Sequence, residues 1–210
     1  MHKCLNILSQ TLSIVLYPML MPLYGMLLYA LSTAAERTVL TRAYIGMYLA
    51  GTAILTLLIP IALLLILWRK GYVDSLHIHN AEQRTTPYTY TLICYGFWAY
   101  FLRATMQLPI FLMLVAIGAM VALLVVTVIN RWWKISAHLT GLGGLFGGIC
   151  SYALHGATLP IGLICTTLIV ALALMYARLY LQAHTALQVV CGFMLGIICT
   201  FIPTLIYVYA

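Results

Sequence analysis

The sequence predicts an all-α fold, a polytopic transmembrane helix bundle of six to seven spans. Two observations carry this. Of the 210 residues, 65% are hydrophobic and only 6% charged, against roughly a quarter charged in an ordinary soluble domain, so lipid must be the main solvent. The apolar residues also fall into runs of the length a bilayer requires, about 20 residues each, separated by short polar clusters. No hydrophilic block is long enough to fold by itself, so residues 1–210 form a single transmembrane domain.

The spans are placed near 5–31, 43–68, 88–107, 109–129, 137–156, 159–178 and 185–208. The first follows Met1-His2-Lys3 in a way that resembles a signal peptide, but its apolar run is too long for a cleavable segment and predicts a retained helix. Pro18, Pro22 and Pro60 interrupt long apolar stretches and predict kinks. The third and fourth spans are divided only at Gln107-Leu108-Pro109, the fifth and sixth only by His155 to Pro160, so both hairpins must be tight. A proline at each boundary suits a helix start. Gly141, Gly143, Gly144, Gly147 and Gly148 repeat the small-xxx-small spacing of close helix packing, and no lysine follows them as a phosphate loop would need. The six cysteines lack the close pairing of metal or redox motifs and read as packing residues.

Successive spans alternate direction, so loops two spans apart share a membrane face. One face thereby collects the N-terminus, the loop from Arg69 to Pro87, the segment Arg131 to Lys134 and the junction Arg178 to His184. Lys3, Arg69, Lys70, Arg84, Arg131, Lys134 and Arg178 lie there, leaving Arg37, Arg42 and Arg103 for the other, with His155 nearby. The positive-inside rule makes the rich face cytoplasmic, although a phosphate site would recruit the same residues for chemistry. The net charge of +7 therefore points to lipid headgroups or a phosphate-bearing substrate rather than nucleic acid.

Two polar clusters stand at helix starts on this face. One is Trp133-Lys134-Ile135-Ser136-Ala137-His138; the other is Arg178, five residues, His184, three residues, Gln188, with Gly192 and Gly196 continuing at intervals of four. His184, Gln188, Gly192 and Gly196 define one stripe, facing protein rather than lipid. Here the chain resembles the type 2 phosphatidic acid phosphatase superfamily of lipid phosphatases and soluble haloperoxidases. Its motifs read Lys, six residues, Arg-Pro; then Pro-Ser-Gly-His; then Ser-Arg, five residues, His, three residues, Asp. Arg178 and His184 match the third, with Ala177 for Ser and Gln188 for Asp. Ser136 and His138 match the second, with Ile135 and Ala137 for Pro and Gly. The first is matched at Arg84 alone, with His77 in the lysine's place and Thr85 in the proline's. The resemblance covers roughly residues 74–196.

What the resemblance implies is phosphoryl transfer through a phosphohistidine on His184, with His138 as the acid and Gln188 where an aspartate would orient the nucleophile. Arg84, Ser136 and Arg178 would bind the phosphate of a membrane lipid or isoprenoid phosphate. The mechanism requires no metal or cofactor, and a multi-pass protein of the bacterial inner (cell) membrane is expected. A non-catalytic scaffold or phospholipid-binding subunit is the alternative. Plain readings also stand: a snorkelling Arg178 with a helix-capping His184, an ordinary cap at Ser136 with an interfacial His138, solvated His77 and His79, and lipid-facing anchors at Arg131 and Lys134 beside Trp132 and Trp133.

Overall fold

A computed structural model describes residues 2–35, 41–73, 81–155 and 161–209, with 2, 34, 35 and 81–84 described by backbone alone. Those residues are helical throughout, with turns between helices and no strand among them. In chain order the helices are α1 (His2–Val15), α2 (Met21–Ala35), α3 (Arg42–Ala53), α4 (Ile59–Arg69), α5 (Ala81–Tyr100), α6 (Ile110–Ile129), α7 (Ala137–Leu154), α8 (Ile161–Tyr180) and α9 (Ala186–Tyr209). A π-turn over Ile54–Leu58 carries α3 into α4, and another over Phe101–Thr105 ends α5.

Four stretches are long and apolar enough to cross a membrane: Arg42–Arg69, Ile110–Ile129, Ile161–Tyr180 and Ala186–Tyr209. The pair formed by α1 and α2 becomes a fifth if its 42° bend lies within one span. Helices α5 and α7 fall outside this set because α5 opens on Glu82-Gln83-Arg84-Thr85-Thr86 and α7 is diluted by glycine. The expected kink at Pro18 is a full break: α1 stops at Val15 and a 3₁₀ turn, Pro18–Leu20, leads into α2. Pro87, expected to close a loop, instead lies inside α5, which begins at Ala81. Pro60 sits just after the π-turn, inside the continuous Arg42–Arg69 stretch, where its missing N–H falls at the shift in the helical hydrogen-bond ladder. The turn before α6 is as tight as expected; Gln107 takes a φ of 52° there and Pro109 is the N-cap.

Helix α7 is the centre of the bundle, packed by α2, α6, α8 and α9. Its closest neighbour is α9, and glycines make the approach possible. A Cβ at Gly196 would run into the Thr140 carbonyl and Gly144 nitrogen, and one at Gly143 into the Phe193 carbonyl. Lipid tails are as apolar as leucine, so such backbone-to-backbone packing replaces the hydrophobic drive that joins helices in water. Threonines complete it: Thr200 Oγ1 donates to Gly144 O at 3.1 Å, and Thr204 Oγ1 to Ser151 Oγ at 2.6 Å. Below the charge-rich end, Leu139, Leu142, Leu174, Val189 and Phe193 form one buried cluster; a second gathers Tyr48, Trp98, Leu102 and Phe111. On α9, Met194, Ile198, Ile202 and Ile206 form an exposed stripe with a spacing of four, the side a lipid-facing helix shows.

This packing makes a paired prediction. Gly196→Ala forces backbone apart and should destabilise the protein by about 1–3 kcal/mol, whereas Gly162→Ala, with nothing within 4 Å of the added Cβ, should leave it unchanged or slightly improved. Thermal unfolding in detergent compares the two; equal transitions would contradict the packing account.

Candidate phosphate site

The polar groups collect where α1 and α8 end and α7 and α9 begin. After α6 the chain turns through Asn130 to Ile135 and enters α7 with Ser136 at the N-cap. After α8 it turns through Leu181 to Thr185 and enters α9. The glycine contact draws these entries together: Ser136 N–H donates to Gln188 O at 3.3 Å, and a Cβ on Gly192 would lie 2.7 Å from Ser136 O.

His184 stands just before α9 rather than on its stripe. Its Nδ1 lies 3.1 Å from Lys134 O and 3.3 Å from Gln188 Oε1. Both partners are acceptors, so Nδ1 carries the ring proton and Nε2 keeps the lone pair. The same Gln188 oxygen accepts Thr185 N–H at 3.1 Å. Thr185 and Gln188 are thus the first and last positions of a capping box, in which the third helical residue reaches back to the cap's own amide. One amide oxygen therefore begins a helix and orients an imidazole.

His138, in the first turn of α7, is held the other way round. Its Nε2 lies 3.2 Å from Ser13 O, so Nε2 carries the proton. The Tyr17 ring meets it edge-on at 5.6 Å. Arg178 Nη1 donates to Ser13 Oγ at 3.3 Å, bringing the last turn of α8 to the same residue of α1. Arg178 and His184 both lie within electrostatic reach of His138. Ser136 is fully buried, does not cap its helix with its side chain, and its Oγ has no hydrogen-bond partner among the described residues.

Burial pushes the His184 pKa down from 6.5 to about 4, and the neighbouring Arg178 charge adds to this. The bond to Lys134 O opposes the shift, the Lys134 charge reinforces it, and the Gln188 bond opposes it. At neutral pH the ring is therefore an uncharged base with its Nε2 lone pair available.

A cavity of about 1110 Å³ opens from this cluster. Lys134, His138, Arg178 and His184 line its polar end, while Tyr29, Phe111 and Tyr152 line the far one. Ser136 and Gln188 stand behind the wall. No family model matches the chain, and neither curated proteins nor solved structures give a match. The site therefore rests on its own geometry.

Of the residues singled out from sequence, Ser136, His138, Arg178, His184 and Gln188 come together here. The Arg84 side chain lies outside the described residues, as does His77; the α5 backbone places position 84 one turn before Pro87, which lines the cavity. Three contributors were not anticipated. Thr185 was legible through the Thr-x-x-Gln spacing of the capping box. Lys134, read as a lipid anchor, lines the cavity and acts on His184 through both its carbonyl and its charge. Ser13 carried no local signal, since its partner His138 is 125 positions away.

The depressed pKa gives a direct test. A ¹⁵N-histidine NMR titration of the detergent-solubilised chain should show His184 taking its second proton near pH 4. Between pH 6.5 and 4 an unfolded chain binds that proton and the folded one does not, so acidification through this window should also erode stability. A midpoint at the ordinary histidine value would remove the burial and Arg178 argument.

Proposed function

We propose that this chain is a divergent membrane phosphatase of the type 2 phosphatidic acid phosphatase kind, hydrolysing a lipid or isoprenoid phosphate in a bacterial cell membrane. The observation that carries the reading is His184, a neutral imidazole with its Nε2 lone pair unspent, beside Arg178 and Lys134 at the polar end of an apolar cavity. Such a group attacks phosphorus; such cations steady the charge on its oxygens.

The topology that fits is seven spans: the bent α1 and α2, the continuous α3 and α4, then α5 to α9 singly. Helix α7 meets α2, α6, α8 and α9 rather than lipid, so its glycines and its low apolar content are compatible with crossing. This count returns Lys134, His138, Arg178 and His184 to one face.

In the reaction, the phosphate would sit against Arg178 and Lys134, near the start of α7, with Ser136 behind it and Arg84 reaching it from α5. The bond from His184 Nε2 to phosphorus forms as the bond from phosphorus to the lipid oxygen breaks. That oxygen leaves with a proton from the His138 imidazolium, formed when the neutral ring takes a proton at Nδ1 from the bound phosphate monoanion. Water then attacks the phosphohistidine, giving a proton back to His138, and orthophosphate departs. Gln188 orients His184 but brings no negative charge for the imidazolium character that grows as the bond forms. Exchange of an orienting aspartate for its amide costs a serine protease about 10⁴-fold, so turnover is expected to be slow.

The neutral capping role of Gln188 favours one second reading: a phospholipid-binding protein that keeps the pocket without turnover. Phosphate release from a panel of lipid phosphates by the purified protein, by His184→Ala and by Gln188→Asp separates the two. The enzyme reading expects release that His184→Ala abolishes and Gln188→Asp raises about tenfold or more, a conservative share of the 10⁴-fold effect. Binding retained in wild type with no release from wild type or Gln188→Asp would establish the binding protein instead.

A further inference from the structure

Helix α1 ends in a way that bears on the site. In a continuing α-helix the Ser13 carbonyl would accept the N–H of residue 17, and the Ile14 carbonyl that of residue 18. Residue 18 is proline and has no N–H to give. Tyr17 N–H instead turns to Ile14 O at 3.2 Å, a 3₁₀ register, while Leu16 N–H keeps its α-helical bond to Leu12 O at 2.9 Å. The shift satisfies Ile14 and releases Ser13 O from the helix ladder. The Val15 carbonyl is taken by Tyr24 OH at 2.8 Å, which fixes the break against the first turn of α2.

The released carbonyl is the one that His138 Nε2 meets. The hydroxyl of the same residue donates to Ser9 O at 2.9 Å and accepts from Arg178 Nη1. Ser13 is buried, so both contacts are largely shielded from bulk water.

We infer that Ser13, with its carbonyl freed by the Pro18 break, is a positioning residue for the phosphate site: the carbonyl fixes the orientation and tautomer of His138, and the hydroxyl holds Arg178. The catalytic consequence rests on the proposed phosphatase reading. With Nε2–H committed to Ser13 O, the proton that His138 passes to the leaving oxygen is the one on Nδ1 of its imidazolium, and the Nε2–H bond stays in place throughout. The N-terminal helix, outside the 74–196 segment that carries the family resemblance, is then a working part of the site.

Substitutions at two positions separate the two contacts in the full-length chain in nanodiscs. Pro18→Ala restores an N–H at residue 18, letting Ile14 O and Tyr17 N–H return to the α-helical register and drawing Ser13 O away from His138; Pro18→Gly supplies the same N–H with no side chain. Ser13→Ala keeps the carbonyl and removes only the hydroxyl. By ¹⁵N-histidine NMR, wild type and Ser13→Ala should show His138 protonated at Nε2, and the Pro18 variants should lose that single tautomer. Ser13→Ala should instead weaken binding of inorganic phosphate several-fold. In turnover, the Pro18 variants should slow hydrolysis of an alkyl phosphate about tenfold, within the range of a compromised general acid. They should slow hydrolysis of p-nitrophenyl phosphate, whose leaving group needs no proton, by a smaller factor. An unchanged His138 tautomer in both Pro18 variants, or the same loss of tautomer in Ser13→Ala, overturns the inference. Absence of turnover from every form, with the tautomer shift present, overturns the phosphatase reading and leaves the positioning role standing.

Discussion

The contact between α7 and α9 is the constraint from which the site descends. Its glycines allow main chain to meet main chain, and the two helices that touch most closely are the two whose first turns carry the polar clusters. Ser136 N–H can bond to Gln188 O only because Gly192 has no side chain to interpose. A larger residue there would separate the helix starts and, with them, the Lys134 carbonyl from the His184 ring. The same glycines that look like a packing device from sequence are thus what converts two remote segments into one pocket. Threonine hydroxyls bonded across the interface hold the register, which matters in a bilayer where small side chains and hydrogen bonds do the work of hydrophobic burial.

The second dependence is on where protons sit. Each histidine has one nitrogen committed to a backbone carbonyl, His184 through Nδ1 and His138 through Nε2. Carbonyls accept and never donate, so the two rings are held as opposite tautomers. Gln188 sharpens the consequence. A carboxylate in its place would stabilise a charged His184 and lower the positive potential of the pocket; the amide leaves the ring neutral and the potential high. On the proposed reading, that combination would favour holding a phosphate over accelerating its transfer. The balance between enzyme and binding protein thus turns on one side chain, which is also committed to starting α9 through Thr185 N–H.

Much of the architecture was legible in the sequence because a bilayer leaves few options. Among the described residues the seven segments read from apolar runs fall on helix, the first broken at Pro18, while four stretches, or five with α1 and α2, are long and apolar enough to cross a membrane; the turn at Gln107 and the packing role of the glycines were readable from residue type alone. Prolines were read less well. Pro18 signals a missing N–H, but which carbonyl is thereby released depends on whether Tyr17 shifts register, a choice made by tertiary contacts. Pro87 lies within a helix because the polar turn before it is helical as well, which hydropathy cannot register. In the site, Arg178, His184 and Gln188 were legible through spacing along one stretch of chain. Ser13 was not, because a buried serine in an apolar helix looks the same whether it bonds to its own ladder or to a histidine brought from far along the chain.

The shape of the cavity ties these parts to the membrane. At one end stand two cations and two imidazoles; at the other, Phe111 stacks on Tyr152 at 5.6 Å, with Tyr29 edge-on at 5.7 Å to Tyr152. A phosphate turned toward the aromatic end would lose its hydration with no cation among the described lining residues there to replace it, a cost of several kcal/mol or more for a buried charge. On the proposed reading, a lipid phosphate would occupy the cavity with its headgroup toward α7 and α9. The Pro18 break lies along this path, since Tyr17, Pro18 and Met21 line the cavity together with Ser13. The turn that frees a carbonyl for His138 also shapes the wall beside it, so the orientation of the ligand and the orientation of the ring that would act on it are set by one feature of the backbone.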